Sequence, residues 1–145
     1  MPDPIPSDPD CIFCKIISGH IPAHKIFENN QILAFLDVGP LSAGHTLVIP
    51  KGHWVTLDQV PDEVSAAIGR ILPRLSRSVT KAVGASSWNL LQNNGRPAHQ
   101  FVDHVHFHII PKIDSAGLGI EWCPIQMDNG LAEQLRQRMA EGLEA

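Results

Sequence analysis

The chain has 145 residues, 43% of them hydrophobic and 18% charged, which is the length of one domain and excludes both a disordered and a membrane-embedded chain. Eleven Lys and Arg against fifteen Asp and Glu leave a net charge of −4, which argues against bulk attraction to nucleic acid or anionic lipid through a basic surface. Eight histidines stand beside three cysteines and no tyrosine, so imidazole, which ligates metals and moves protons near neutral pH, is the side chain to follow.

Residues 1–10, MPDPIPSDPD, read as a flexible tail: four prolines, three aspartates, and neither the basic nor the apolar region of a targeting peptide. Cys11, Cys14 and Cys123 are too few and too odd in number for a disulfide framework, so a cytoplasmic protein is expected. No apolar run approaches the ~20 residues that span a bilayer.

CIFCKIIS reads as a short helix closed by Gly19, with Pro22 preventing its continuation. Two β-rich runs, His24 to Glu28 and Ile32 to Asp37, flank an Asn29-Asn30 turn suited to a hairpin. After loop punctuation at Gly39, Pro40 and Gly44, His45 to Pro50 predicts a third strand. Pro61 to Val83 predicts the long helix. Asp62 and Glu63 sit in its first turn, Val64, Ile68, Ile71, Leu72, Leu75 and Val79 form an apolar face, and Pro73 should kink it or interrupt its bonding. Trp88 to Gln92 and Val102 to Lys112 predict two more strands, and Leu131, Leu135 and Met139 mark a C-terminal amphipathic helix. The expectation is a single α+β domain over residues 11–145 on a mostly antiparallel five-stranded sheet.

Within the last strand candidate, His104-Val105-His106-Phe107-His108-Ile109-Ile110 alternates polar and apolar residues. Extended chain puts alternate side chains on one face, with neighbouring imidazoles about 6.6 Å apart and the outer pair about 13 Å apart. One metal reaches an adjacent pair more easily than all three, so the pattern suggests division of labour, with one nucleophile or base flanked by groups that ligate, orient or donate. Cys11 and Cys14 have a metal-binding spacing, although a redox pair or coincidence would look the same. The polar run Asn93 to Gln100 reads, by itself, as a surface loop.

The His-x-His-x-His run resembles the signature of the histidine-triad superfamily of nucleotide hydrolases and transferases. The resemblance extends over about residues 11–112, through CIFCKIISGHIPAHKIFENNQILAFLD, GPLSAGHTLVIPKGH and LLQNNG. It implies a HIT-like fold and hydrolysis at a nucleotide α-phosphate through a nucleotidyl-histidine intermediate. His106 would be the nucleophile, His108 a donor to the phosphoryl oxygens, and His45 an additional active-site histidine that relays protons. Asn93 and Gln100 match positions that contact the phosphate or leaving group. Ile12, Phe13, Ile16, Phe35 and Leu36 match positions lining the base, and Asp37 matches the carboxylate on the ribose hydroxyls. Two residues depart from the pattern: His99 stands where the family often has Gly, and Phe101 where some hydrolases have Ser.

The resemblance also implies a structural zinc held by Cys11, Cys14, His53 and His104, with no catalytic metal. The substrate would be a purine nucleotide such as an adenosine phosphoramidate, with hydrolysis of a diadenosine polyphosphate as an alternative and a weakly active nucleotide-binding regulatory protein as another. The transferase branch replaces the third triad histidine with Gln, whereas His108 is intact. A homodimer is expected, with neither nucleic acid nor membrane as partner.

Overall fold

A computed structural model describes residues 3–144. In chain order it comprises α1 (Ile12–Ile17), β1 (Lys25–Glu28), β2 (Ile32–Leu36), β3 (Thr46–Pro50), α2 (Asp62–Val83), β4 (Ser87–Gln92), β5 (Phe107–Lys112) and α3 (Asn129–Gly142), with short 3-10 turns at Leu57–Gln59 and Arg96–Ala98. The strands form one antiparallel sheet in the order β1-β2-β3-β5-β4, the expected α+β architecture.

The central strands are buried on both faces. Ile32 and Ala34 of β2, Val48 of β3 and Ile109 of β5 meet Ile68, Ile71, Leu75 and Val79 of α2. The alternate residues Leu33, Phe35, Leu47 and Ile49 meet Phe13 and Ile16 of α1, together with Cys11 and Cys14. Period-two alternation thus makes two cores from one sheet, and the α1 side is the one that carries the histidines. α2 is one continuous helix with Pro73 inside it, on the exposed side. Among the described residues no helix is long and apolar enough to cross a membrane.

Two expectations change. The last strand begins at Phe107, not Val102, so His104 and His106 precede the ladder. The pairing of β3 with β5 runs out at Val48↔Phe107, and Pro50 further along β3 has no N–H to donate. The extended segment instead gives the Val105 N–H to the Trp54 carbonyl (2.7 Å) and the His104 ring to the Pro50 carbonyl (2.9 Å). Side-chain alternation continues through this break. Of residues 1–10, Met1 and Pro2 lie outside the described residues; Pro6 accepts the His53 N–H (2.7 Å) and Asp8 the Cys11 N–H (3.1 Å), so the stretch expected as a free tail is tied to the domain.

Candidate active site and metal centre

Four side chains converge where α1, the β3 turn and the histidine segment meet. Cys11 caps the start of α1, and its sulfur accepts the Cys14 N–H (3.4 Å), which fixes both thiols on one side of the turn. His53 arrives on the Lys51-Gly52-His53 turn, where a Cβ on Gly52 would run into the Trp54 ring. His104 Nδ1 lies 3.5 Å from Cys11 Sγ, 3.6 Å from Cys14 Sγ and 3.3 Å from His53 Nδ1, and Cys14 Sγ lies 3.5 Å from His53 Nδ1. These four residues can hold a metal ion.

The protonation pattern fits that use. His104 gives its Nε2–H to the Pro50 carbonyl, so Nδ1 presents its lone pair to the cluster. Burial, with His53 and His106 nearby, pushes the His104 pKa down to about 4, which keeps the ring neutral and able to ligate. Burial raises the Cys11 thiol pKa, a cost that a bound cation would reverse. Asp8 stands 3.9 Å from the far nitrogen of His53.

The neighbouring site uses the same side chain differently. His106 gives its Nδ1–H to the His104 carbonyl (2.7 Å), leaving Nε2 without a proton. Its ring stands edge-on to Phe13 at 5.2 Å and 4.9 Å from the His108 ring. His108 lies in β5 opposite Leu47, and its Nδ1 is 2.9 Å from His45 Nε2. His45 Nε2 is also 3.5 Å from Asp37 Oδ2. Burial lowers the pKa of His45 and His106, and it takes His108 down to about 4 with help from His106 and His45. All three rings are therefore neutral at pH 7, the form in which imidazole is a nucleophile or a single-proton donor.

The remaining expected residues are distributed around this centre. Phe13, Ile16 and Phe35 are buried in the α1-side core, Phe13 touching both His104 and His106, while Ile12 and Leu36 reach the surface. Asp37 follows β2, and its Oδ1 accepts the Gly39 N–H (2.8 Å). Asn93 continues β4 beyond Gln92, which pairs with Phe107, so it stands beside the histidine segment; its amide donates to the His99 carbonyl (3.2 Å). Gln100 is buried and committed to the loop: Oε1 accepts the Gly95 N–H, and Nε2 donates to the Val55 and Val102 carbonyls. His99 adopts the left-handed region (φ 67) in which a glycine would be expected, and its ring meets Phe101 edge-on at 6.0 Å.

Sequence reading missed the groups that set these protonation states. The Leu41 amide, which donates to His45 Nδ1 (3.1 Å), and the carbonyls of Pro50 and His104 are backbone atoms with no side-chain signature. Asp8 could have been suspected only as an acidic residue ahead of the cysteine pair.

Comparison with known families matches residues 18–115 to the HIT domain. The chain is 57% identical over 113 residues to adenosine 5′-monophosphoramidase hnt1 of Schizosaccharomyces pombe, covering 77% of this chain and 82% of that one. Its fold superposes with a TM-score of 0.90 on the crystal structure of a HIT family member from Bacillus subtilis, at 35% identity over 94% of this chain and 99% of that one. A zinc-bound histidine triad family protein from Mycobacterium smegmatis matches with a TM-score of 0.70 and 35% identity, covering 91% and 94% of the two chains.

Proposed function

The chain belongs to the HIT domain family, and from that premise we propose that it is a hydrolase that cleaves nucleoside phosphoramidates at the α-phosphate and releases a nucleoside monophosphate. The observation that carries this reading is the tautomer of His106: its Nδ1–H is spent on the His104 carbonyl, so the unprotonated Nε2 is the atom free to attack. Nε2 forms a bond to the α-phosphorus while the bond to the leaving nitrogen breaks, and the departing amine takes up a proton from solvent water. A second water then attacks the phosphorus of the nucleotidyl-histidine and gives its proton back to solvent, while the P–N bond to Nε2 breaks, freeing the monophosphate and restoring the neutral imidazole. Two displacements through a covalent intermediate each have a lower barrier than one.

His108 supplies an N–H to the phosphoryl oxygens as their charge grows, a contribution of about 3 kcal/mol in comparable sites. His45 stands behind it as the next member of the proton chain, 2.9 Å away. Asp37 binds the ribose, and Ile12, Phe13, Ile16, Phe35 and Leu36 shape the base pocket, the buried members as its floor. Asn93 contacts the phosphate end, and Gln100 acts through the shape of the loop it ties together.

The similarity to a phosphoramidase favours an adenosine phosphoramidate over a diadenosine polyphosphate. Incubating the protein with each and measuring AMP release tests the choice. Cleavage of the polyphosphate alone would shift the assignment to that substrate, and AMP binding without cleavage of either would make the protein a regulatory nucleotide binder.

The metal is zinc in this reading. A tetrahedral zinc with bonds of about 2.05 Å to nitrogen and 2.3 Å to sulfur puts its nitrogens about 3.3 Å apart and nitrogen from sulfur about 3.6 Å; the observed spacings are 3.3 Å and 3.5 to 3.6 Å. Four protein ligands leave no open position, so the ion is structural. Metal analysis of purified protein checks the identity of the ion. A homodimer is supported by the edge strand β4, which exposes Trp88 and Leu90, and by α3, which buries no residue within its own chain; mass in solution reads it directly. The three unpaired cysteines fit a cytoplasmic setting.

A further inference from the structure

The loop between β2 and β3 is clamped against the end of β5. Ser42 Oγ–H donates to the Pro111 carbonyl (2.6 Å), and the Gly117 N–H donates to the Leu41 carbonyl (3.1 Å). Gly117 has φ 125, and a Cβ there would lie 2.9 Å from the Pro111 carbonyl oxygen, so the segment following β5 reaches this loop only because the position has no side chain. Held this way, Leu41 points its own N–H at Nδ1 of His45, 3.1 Å away.

An amide N–H can only donate, so His45 Nδ1 must present a lone pair. A neutral imidazole has one lone pair and one proton, which places the proton on Nε2. There it faces His108 Nδ1 at 2.9 Å and Asp37 Oδ2 at 3.5 Å, and the shorter contact takes it. His108 Nδ1 is then an acceptor, so its own proton sits on Nε2. We propose that the Leu41 backbone amide is a positioning group that sets this order, Leu41 N–H to His45 to His108, and so makes His108 Nε2 a proton-bearing donor at the reaction centre. The proposal rests on the reading of His108 as the donor to the phosphoryl group. Asp37, His45 and His106 are the titratable groups around His108, and burial keeps its ring and that of His45 neutral near pH 7, each with a single proton to place.

The same arrangement excludes another use of the cluster. Asp37, His45 and His108 offer ligand atoms within 4.8 Å of one another, a spacing that would suit a cation. A metal on His45 Nε2 would need a second lone pair from a ring whose single lone pair is already committed to Leu41. Loss of the amide has the opposite consequence for catalysis: His45 is free to carry its proton on Nδ1, its Nε2 accepts from His108 Nδ1, and His108 turns a lone pair toward the phosphoryl oxygen.

Nitrogen-15 spectra of histidine-labelled, metal-loaded protein test this directly. The expected result is Nδ1 unprotonated and Nε2 protonated at both His45 and His108. Replacing Leu41 with its α-hydroxy acid substitutes an ester oxygen for the N–H with little change of shape. That protein should show mixed tautomers at both rings and a kcat lower by about tenfold or more, with KM for adenosine phosphoramidate within about twofold. A proton on Nδ1 of His45 in the unaltered protein overturns the proposal, as do unchanged spectra and kcat in the ester protein. If the unaltered protein cleaves no phosphoramidate, the proposed function fails, while the spectra still decide the order of protons.

Discussion

The metal corner and the reaction corner are built from the same side chain, on the same face of one short segment, and they do opposite things. His104 shows its Nδ1 lone pair to two thiols, and His106, two residues on, keeps a proton on Nδ1 and bares Nε2. In each case a backbone carbonyl takes the ring proton: Pro50 from Nε2 of His104, and the His104 carbonyl from Nδ1 of His106. The difference teaches that histidine spacing places the rings, whereas the backbone around each ring decides which nitrogen keeps its lone pair.

If the two corners are separable, changes in one should leave the other's readout alone. His106→Asn is expected to lower turnover at least about a thousandfold, because it removes the proposed nucleophile. AMP affinity, metal content and Tm should remain near those of the parent. Near-normal turnover would contradict the mechanism, and lost metal would merge the two corners into one. Cys14→Ser should do the reverse, with substoichiometric metal and stability lower by about 3 kcal/mol, while protein that stays folded keeps most of its kcat. Thermal melts beside metal analysis and turnover read all three quantities.

A smaller effect separates the corners by pH. His108 has its folded pKa at about 4 against an ordinary 6.5. Between those values the unfolded chain binds the proton more readily than the folded one, so this ring's contribution makes stability fall as pH drops from about 6.5 to about 4 and leaves it unchanged above that window. On metal-loaded protein, His108→Gln should flatten part of that slope. An identical slope in the variant would show that another group carries the loss.

Much of this plan was legible in the sequence because it depends on side-chain periodicity. The runs Ile32 to Asp37 and His45 to Pro50 predict strands that the structure has as β2 (Ile32–Leu36) and β3 (Thr46–Pro50), and the predicted apolar face from Val64 to Val79 lies along α2. The ligand set Cys11, Cys14, His53 and His104 came from resemblance, since long sequence separations leave no local trace of its closure. β5 starts later than the predicted Val102 because polar–apolar alternation persists through His104 and His106 where pairing with β3 has ended and Pro50 has no N–H to donate. The restraint on residues 6–10 was hidden for a similar reason, as it depends on the Pro6 carbonyl and the Asp8 backbone meeting donors elsewhere. Which nitrogen of His106 is left unprotonated depends on a carbonyl position that no residue pattern encodes.

The smallest expected effect lies at His99, in the loop that follows β4. A non-glycine residue at φ 67 carries about 1 kcal/mol of backbone strain, which His99→Gly would relieve. The glycine also gives the unfolded chain more freedom, at a cost of about 0.4–1 kcal/mol. The two nearly cancel, so Tm should hardly move. What does change is the exposed edge contact between His99 and Phe101, in the loop that Asn93 joins to the end of β4. If that aromatic pair borders the leaving group, the variant should raise KM for aryl phosphoramidates by a few-fold and leave the unsubstituted phosphoramidate alone, an aromatic contact being worth about 0.5–1.5 kcal/mol. Equal KM changes for both substrates would put His99 outside the leaving-group path and confine the reaction corner to His45, His106, His108 and the groups that hold them.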